Sequence, residues 1–241
     1  MKSTGRNDSV VLLSGGLDSS TVLGIALSQG HSPLALSFSY GQRHSRELES
    51  AVSIAKHYGV KQVTVSVDLG KVGGSSLTDG DVPVEHRKIE DIADRIPSSY
   101  VPARNSVFLS IAFGLAESSG SSTVFIGANS LDYSGYPDCR QEYFNAMEES
   151  LNLGTHRNGG AKIRIMAPLI KLTKDEIIRK GLSIGVPYKL TWSCYEGGSK
   201  ACGKCDSCLL RLRGFMLADS RDPLEYSSLP DFYRSYLTRG K

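Results

Sequence analysis

Residues 9–20 read Ser-Val-Val-Leu-Leu-Ser-Gly-Gly-Leu-Asp-Ser-Ser, and this stretch decides the fold of the chain. Its first five residues form a short apolar run typical of a buried strand, and residues 21–27 have the character of a helix. Between them, Gly15 and Gly16 allow backbone angles that a side chain would forbid and let the chain pass close to a ligand. The stretch therefore predicts a strand, a tight loop and the start of a helix.

The loop between this strand and helix has the features of a phosphate site. A helix N-terminus presents free N–H groups and the positive end of a dipole. Ser14, Ser19 and Ser20 add hydroxyl donors, and Asp18 could hold a Mg²⁺ ion that bridges phosphate oxygens. No Gly-Lys-Ser/Thr follows, so the loop is not a Walker A loop, and it lacks Gly-x-Gly-x-x-Gly spacing. A plain tight turn is the alternative, but the strand–loop–helix setting favours nucleotide binding.

The composition is that of an ordinary globular protein. Of 241 residues, 40% are hydrophobic and 22% charged, and the net charge of +3 is too small to argue for a polyanionic partner. No apolar stretch approaches the length of a membrane span. Residues 1–6 are polar and do not resemble a signal peptide. We therefore expect a cytoplasmic protein without a membrane partner.

Apolar runs and helical periodicities alternate along the chain. Four further strands are predicted, at residues 33–38, 62–68, 123–127 and 162–167. Helices are predicted at residues 46–58, 105–118, 141–151 and 173–180, the last with a Thr-x-x-Glu capping box. The pattern indicates an α/β fold with a doubly wound, parallel, five-stranded sheet. The fourth strand should lie beside the first, and the crevice between their C-terminal ends is the expected ligand site.

Two other regions complete the domain prediction. Residues 69–102 interrupt the alternation of strands and helices. This interruption predicts either a long functional loop that closes over a site or a partly disordered segment. Four of the five cysteines follow a Cys-x7-Cys-x2-Cys-x2-Cys pattern: Cys194, Cys202, Cys205 and Cys208. We predict an α/β nucleotide-binding domain at 1–185 that contains the long loop, and a zinc-binding region at 186–241.

The four-cysteine pattern is more typical of metal than of disulfides in a reducing compartment. Four thiolates around one centre give a closed tetrahedral site, which suits a structural Zn²⁺. An iron–sulfur cluster also uses four cysteines, but the proline that follows the last ferredoxin cysteine is absent here. Zinc is therefore the preferred prediction.

The loop at residues 14–19 resembles the pyrophosphate-binding loop (Ser-Gly-Gly-x-Asp-Ser) of the N-type ATP pyrophosphatases, and the fold would then be adenine nucleotide alpha hydrolase-like. That group cleaves ATP between the α and β phosphates and activates an acceptor oxygen as an adenylate. With its other motifs, the chain resembles the 7-cyano-7-deazaguanine synthase family. Those motifs are Tyr-Gly-Gln-Arg-His at 40–44, Ser-Ser-Leu-Thr at 75–78, Val-Pro-Ala-Arg-Asn at 101–105, Asp-Tyr-Ser-Gly-Tyr-Pro-Asp-Cys-Arg at 132–140, Pro168-Leu169 with Lys174, and the cysteine pattern.

The resemblance implies a cytosolic zinc protein, typically a homodimer, with small-molecule substrates and no nucleic-acid partner. It would convert 7-carboxy-7-deazaguanine, ammonia and ATP to 7-cyano-7-deazaguanine, a queuosine and archaeosine precursor, through an adenylated carboxylate, an amide and a nitrile. ATP, Mg²⁺ and Zn²⁺ are the implied cofactors. The implied cofactor-binding residues are Leu13, Ser14, Gly15, Gly16, Leu17, Asp18, Ser19, Ser20, Thr21, Val22 and Leu23.

Catalytic and substrate-binding candidates follow from the same chemistry. Asp18, Lys174 and Arg104 are the catalytic candidates, although Lys174 could be a solvated helix residue and Arg104 part of a surface turn. A carboxylate can accept a bidentate pair of hydrogen bonds from the guanidine-like N–H edge of deazaguanine. The substrate-binding candidates are Asp132, Asp138 and Arg140, and either aspartate could instead cap a helix. Arg43 and His44 could contact adenosine or phosphate, or be structural.

Two other functions remain open on the sequence alone. An ATP-dependent tRNA thiolase of the same superfamily would need a persulfide-bearing cysteine, for which Cys139 is the candidate. It should also show a stronger basic patch or an added RNA-binding domain, and neither is visible. Cys139 as a small buried residue near the substrate is the alternative. A zinc-ribbon adaptor protein would not need the loop at residues 14–19.

Overall fold

A computed structural model describes residues 7–92, 96–130, 136–156 and 161–238 of the chain. Five parallel strands form one sheet in the order β3-β2-β1-β4-β5. They are β1 (Ser9–Leu12), β2 (Pro33–Ser39), β3 (Gln62–Ser66), β4 (Thr123–Phe125) and β5 (Arg164–Met166). The α/β class, the parallel sheet and the placement of the fourth strand beside the first are confirmed.

Seven helices belong to the described part of the chain. They are α1 (Leu17–Ser28), α2 (Arg46–Tyr58), α3 (Arg104–Ser119), α4 (Gln141–Leu153), α5 (Lys174–Ser183), α6 (Asp206–Leu217) and α7 (Asp231–Thr238). Helix α1 begins four residues earlier than predicted, directly after Gly16, so Asp18 lies in its first turn. The capping box of α5 is confirmed: the Thr173 N–H donates to Glu176 Oε2 at 2.8 Å.

The strands separate two apolar clusters because successive side chains point to opposite faces of a sheet. Val11 belongs to the cluster under α1, α2 and α5, whereas Val10 belongs to the cluster under α3 and α4. Leu212 and Phe215 of α6 and Tyr233 of α7 pack into the first of these clusters. The C-terminal region thus shares its core with the sheet, and the boundary at residue 185 stays a prediction.

The long segment from 69 to 102 follows the surface of the sheet domain. It contains two short 3-10 turns, Gly70–Val72 and Ile89–Asp91, and buries Ser75, Ser76 and Val101. Residues 93–95 of this segment lie outside the described residues. No helix among the described ranges is long and apolar enough to cross a lipid bilayer.

Candidate active site

A cavity of about 270 Å³ opens at the C-terminal ends of β1, β2 and β4. Its walls include Leu12 and Leu13 at the end of β1, Phe38 of β2, and Gly127 after β4. A Cβ atom at Gly127 would lie 3.0 Å from the Ser19 backbone nitrogen, so glycine lets this turn approach the start of α1. The cavity lies at the predicted crevice, where the strand order changes direction.

The loop before α1 lines the cavity with hydrogen-bonding groups. The Ser14 N–H donates to Ser19 Oγ at 3.2 Å, the Gly16 N–H donates to Ser14 Oγ at 3.2 Å, and the two hydroxyl oxygens lie 3.0 Å apart. Gly15 has a φ of +88°, and a Cβ there would lie 2.2 Å from the Glu47 carbonyl oxygen. The loop is therefore closely packed, with serine hydroxyls and a helix N-terminus facing the space where an anion would bind.

Six of the eleven predicted cofactor-binding residues line this cavity: Leu13, Ser14, Gly16, Leu17, Asp18 and Ser19. The others support the loop from behind. Ser20 Oγ donates to the Gly16 carbonyl at 2.7 Å, and Thr21 Oγ1 donates to the Leu17 carbonyl at 2.8 Å. Val22 and Leu23 are fully buried in the apolar core. The structure thus places residues 20–23 in the helix that holds the loop rather than on the cavity wall.

Asp18 and Lys174 meet at the cavity wall although they are 156 residues apart. Lys174 Nζ donates to both carboxylate oxygens of Asp18 at 2.8 Å, and its side chain is only 14% exposed. The stem of Lys174 crosses Gly214 of α6, where a Cβ would lie 2.4 Å from Lys174 Cγ. Lys174 is therefore not a solvated helix residue: it places a cation beside the loop.

Arg104, the first residue of α3, also lines the cavity. The residue before it, Ala103, has a φ of +57°, a strained left-handed conformation. The Arg104 guanidinium lies 6.0 Å from the centre of the Tyr40 ring. Burial alone would lower the pKa of Arg104, but Tyr40, Tyr136 and Asp138 raise it above its ordinary value. Arg104 thus adds a guanidinium cation to the cavity wall, besides Lys174.

The two predicted substrate-binding residues that the structure describes, Asp138 and Arg140, do not line the cavity. Asp138 is buried behind it, where its carboxylate accepts a weak hydrogen bond from the Cys139 thiol at 3.9 Å. Arg140 is exposed at the start of α4 and is not part of the wall. Asp132 lies outside the described residues. Within the described part of this motif, 136–140, Tyr136 and Cys139 line the cavity, whereas Asp138 and Arg140 do not.

Sequence reasoning missed Glu47, which supplies the second carboxylate of the cavity wall beside Asp18. Burial raises the pKa of Glu47 to about 7, although the Arg104 guanidinium opposes this rise. One signal could have identified it. Glu47 lies in the first turn of the helix after the motif at 40–44, which follows β2, and the C-terminal ends of parallel strands surround the ligand site.

The motif at 40–44 organises the long loop. Arg43 donates to three carbonyl oxygens of that loop: Ser76 at 3.4 Å, Gly80 at 3.0 Å and Val82 at 3.5 Å. His44 packs on Gly197, where a Cβ would lie 2.4 Å from the imidazole. Both residues therefore have structural roles in this structure, one of the two interpretations that the sequence left open.

The four predicted cysteine ligands converge in the C-terminal region. The Sγ atoms of Cys194, Cys202, Cys205 and Cys208 lie within 4.8 Å of one another. Four Zn–S bonds of about 2.3 Å place tetrahedral sulfur atoms about 3.8 Å apart, and Cys202 Sγ and Cys208 Sγ are 3.9 Å apart. Several irons between them would hold the sulfurs further apart. The donor set therefore fits one tetrahedral ion.

This cysteine centre is joined directly to the loop at residues 14–19. The Trp192 backbone N–H donates to the Gly15 carbonyl at 2.9 Å, and its indole N–H donates to the Cys194 carbonyl at 2.9 Å. Arg46 of α2 stacks on the Trp192 ring with its guanidinium carbon 4.5 Å from the centroid. Trp192 thus connects the cysteine centre to the loop that lines the cavity.

A family model described as "Queuosine biosynthesis protein QueC" matches residues 8–219. The chain belongs to this family. The 7-cyano-7-deazaguanine synthase of Thermoplasma acidophilum is 60% identical to the chain over 98% of its length and 99% of the relative, and that of Cellvibrio japonicus is 51% identical over 92% and 99%. The fold matches a 4-thiouridine synthetase solved in complex with RNA and ATP at a TM-score of 0.50, with 21% identity over 96% of this chain and 50% of that one. At that identity the likeness concerns the fold alone.

Proposed function

We propose that this chain converts 7-carboxy-7-deazaguanine, ammonia and ATP to 7-cyano-7-deazaguanine, the reaction for which its relatives in the QueC family are named. One observation supports it most: a single cavity combines the loop at 14–19, the Asp18–Lys174 pair and the Arg104 cation. This set suits transfer of AMP to a substrate carboxylate, because it provides anion-binding groups on both sides of the acceptor oxygen.

The chemistry needs activation because a carboxylate has no good leaving group. The carboxylate oxygen attacks the α-phosphorus of ATP, pyrophosphate leaves, and a mixed anhydride forms. Ammonia attacks the acyl carbon and loses a proton, and AMP departs with one carboxylate oxygen to leave an amide. The amide oxygen then receives AMP from a second ATP. Loss of two protons from the nitrogen and departure of AMP give the nitrile.

The residues have distinct tasks in this sequence. Ser14, Ser19 and the N–H groups at the start of α1 bind the departing pyrophosphate, and Lys174 offsets its charge. Arg104 orients the substrate carboxylate. Asp18 would hold a Mg²⁺ ion, which when bound neutralises the phosphates; the Lys174 ammonium must then share this carboxylate.

We assign Zn²⁺ to the four-cysteine centre, as a structural ion, because four thiolates form a closed site without an open position for substrate. We further propose a cytoplasmic homodimer that acts on small molecules without a nucleic-acid partner. A thiolase activity is disfavoured by Cys139. Burial raises its pKa to about 12, with a further contribution from Asp138, whereas a persulfide-forming cysteine must ionise near neutral pH.

The direct test is incubation with ATP, Mg²⁺, ammonia and 7-carboxy-7-deazaguanine, with products identified by mass. The proposal predicts the nitrile and two AMP per nitrile. Release of ADP, or AMP formation only when tRNA is added, would contradict it.

A further inference from the structure

Two sets of polar groups can be distinguished among those that line the cavity. The first contains Ser14, Ser19 and the Asp18–Lys174 pair, and it belongs to the phosphate loop. The second, which we name the ring end, contains Tyr40, Glu47, Arg104, Tyr136 and Cys139. Its members are arranged around Arg104, whose charge acts on the pKa of each of the other four. None of these five residues belongs to the loop at 14–19 or to its ion pair, so the ring end is a separate candidate site for the other substrate.

Within the ring end, Glu47 is the residue whose side chain has no hydrogen-bond or ion-pair partner among the described residues. Within residues 7–92, 96–130, 136–156 and 161–238, its carboxylate has no hydrogen-bond donor and no cation within 4.0 Å. Asp18, the other carboxylate on the wall, is held by Lys174. Removing a carboxylate from water without a partner is unfavourable. The shift of its pKa to about 7 is the consequence. A ligand with N–H donors would supply the missing partners.

The shape of the ring end suits a flat heteroaromatic ligand. Phe38 and Phe108 are stacked with parallel rings, their centroids 3.9 Å apart, and both line the cavity. The Tyr40 ring contacts Phe108 edge to face at 5.6 Å. Arg104 offers a fork of donors for a carboxylate, and Glu47 offers an acceptor pair for a guanidine-like edge. A deazaguanine that carries a carboxylate has both of these groups.

We propose that Glu47 accepts hydrogen bonds from the ring N–H and the exocyclic 2-amino group of the deazaguanine, and so selects this base; the inference rests on the proposed function. Glu47 lines the cavity, whereas Asp138 and Arg140, the described substrate-binding candidates of the motif at 132–140, do not. A site that hydrogen-bonds an amino group rejects the analogue without it, because its own acceptor is then left unpaired.

The test compares wild type, Glu47→Gln and a matched control, Glu49→Gln, which removes an exposed carboxylate from the same helix. Glu47→Gln keeps the shape of the side chain, so circular dichroism should show an unchanged fold. We expect its KM for the base to rise about 30-fold or more, with KM for ATP and kcat within about threefold of wild type. Glu49→Gln should match wild type in all three.

The second measurement uses 7-carboxy-7-deazahypoxanthine, which lacks the 2-amino group. Wild type should prefer the guanine base by about tenfold or more in kcat/KM, and Glu47→Gln should lose this preference. A fall in kcat at unchanged KM, or an undiminished preference in the variant, would overturn the assignment. Calorimetric titration of wild type and Glu47→Gln with each base, without ammonia, makes the same comparison from binding affinity alone. If wild type makes no nitrile, the proposed function fails, whereas these binding data decide the role of Glu47 separately.

Discussion

Asp18 and Lys174 form an ion pair that lines the cavity and contributes little to the stability of the fold. Lys174 Nζ lies 2.8 Å from both Asp18 oxygens, and both residues line the cavity. An ion pair of this kind contributes little net stability because both charges lose water. In the proposed reaction, this pair keeps a cation and the proposed Mg²⁺ ligand in position for the triphosphate.

Replacing Asp18 with Asn should therefore remove activity and leave the fold. We expect pyrophosphate release to fall by about 10³-fold or more, because the metal ligand is lost and Lys174 loses its partner. Far-ultraviolet circular dichroism should be unchanged. The matched control is Asp68→Asn, whose pair with Lys71 is exposed, and it should retain full activity. Normal pyrophosphate release in Asp18→Asn would contradict the assignment.

The raised pKa of Glu47 also predicts that the stability of the protein depends on pH. Because its folded pKa of about 7 is above the model-compound value of 4.5, the folded state binds more protons than the unfolded state between these values. Stability is then lost as pH rises through this window. The neighbouring groups are Arg104, which opposes the shift, and Tyr40. Glu47→Gln should be about 1–2 kcal/mol more stable than wild type at pH 8, or a few degrees in Tm. The stability difference between the variant and wild type should vanish at pH 4. An equal difference at pH 4 and pH 8 would show that it does not arise from the ionisation of Glu47.

At the scale of elements, the long loop and α6 are joined by a buried ion pair. Arg87 Nε donates to Asp206 Oδ2 at 2.8 Å, and their side chains are 9% and 3% exposed. Asp206 is the first residue of α6 and lies between Cys205 and Cys208 of the cysteine centre. The same loop brings Leu77 to the cavity wall. Docking of the loop and assembly of the cysteine centre are therefore coupled through this contact.

Arg87→Met should release the loop, because it leaves the buried Asp206 carboxylate without its cation. We expect cleavage within residues 69–102 by limited proteolysis to accelerate at least about tenfold. KM for the base should rise as well. Lys71→Met, in an exposed pair of the same loop, is the control and should be cleaved at the wild-type rate. Equal protection of both variants would show that the ion pair does not hold the loop.

At the scale of the whole molecule, the cysteine centre supports the phosphate loop from the far end of the chain. Trp192 connects the Gly15 carbonyl to the Cys194 carbonyl. The buried Arg211–Asp222 pair, with Nε to Oδ2 at 2.7 Å, fixes α6 to the segment before α7. Removal of the metal should therefore disturb the active site as well as the C-terminal region.

Cys205→Ser should lose the bound zinc and lower Tm by about 10 °C or more, since closed zinc sites contribute folding free energy directly. Metal content by atomic emission and thermal melting measure both effects. Cys139→Ser is the matched control: it also changes a buried cysteine, but one outside the cluster. It should keep one zinc per chain. A metal-free Cys205→Ser with wild-type Tm would contradict a structural role.

The sheet and the strand–loop–helix geometry at residues 9–28 could be predicted because local signals were strong there. The apolar run at 9–13, Gly15 and the capping box of Thr173 each specify their own geometry. Helix α6 was missed because its apolar positions, among them Leu212 and Phe215, begin inside the cysteine pattern. Tertiary contacts, in contrast, decide which side chains meet at the cavity wall. Nothing local shows that Lys174 reaches Asp18, that Asp138 turns inward, or that Glu47 finds no partner among the residues that the structure describes.

The most direct test of the account follows the oxygen atoms of the substrate. With 7-carboxy-7-deazaguanine labelled by ¹⁸O at both carboxylate positions, each AMP is released with one substrate oxygen, first from the acid and then from the amide. We predict two AMP per nitrile, each carrying one ¹⁸O. Unlabelled AMP, or label in inorganic phosphate, would show that the carboxylate oxygen never receives the nucleotide and would contradict the central claim.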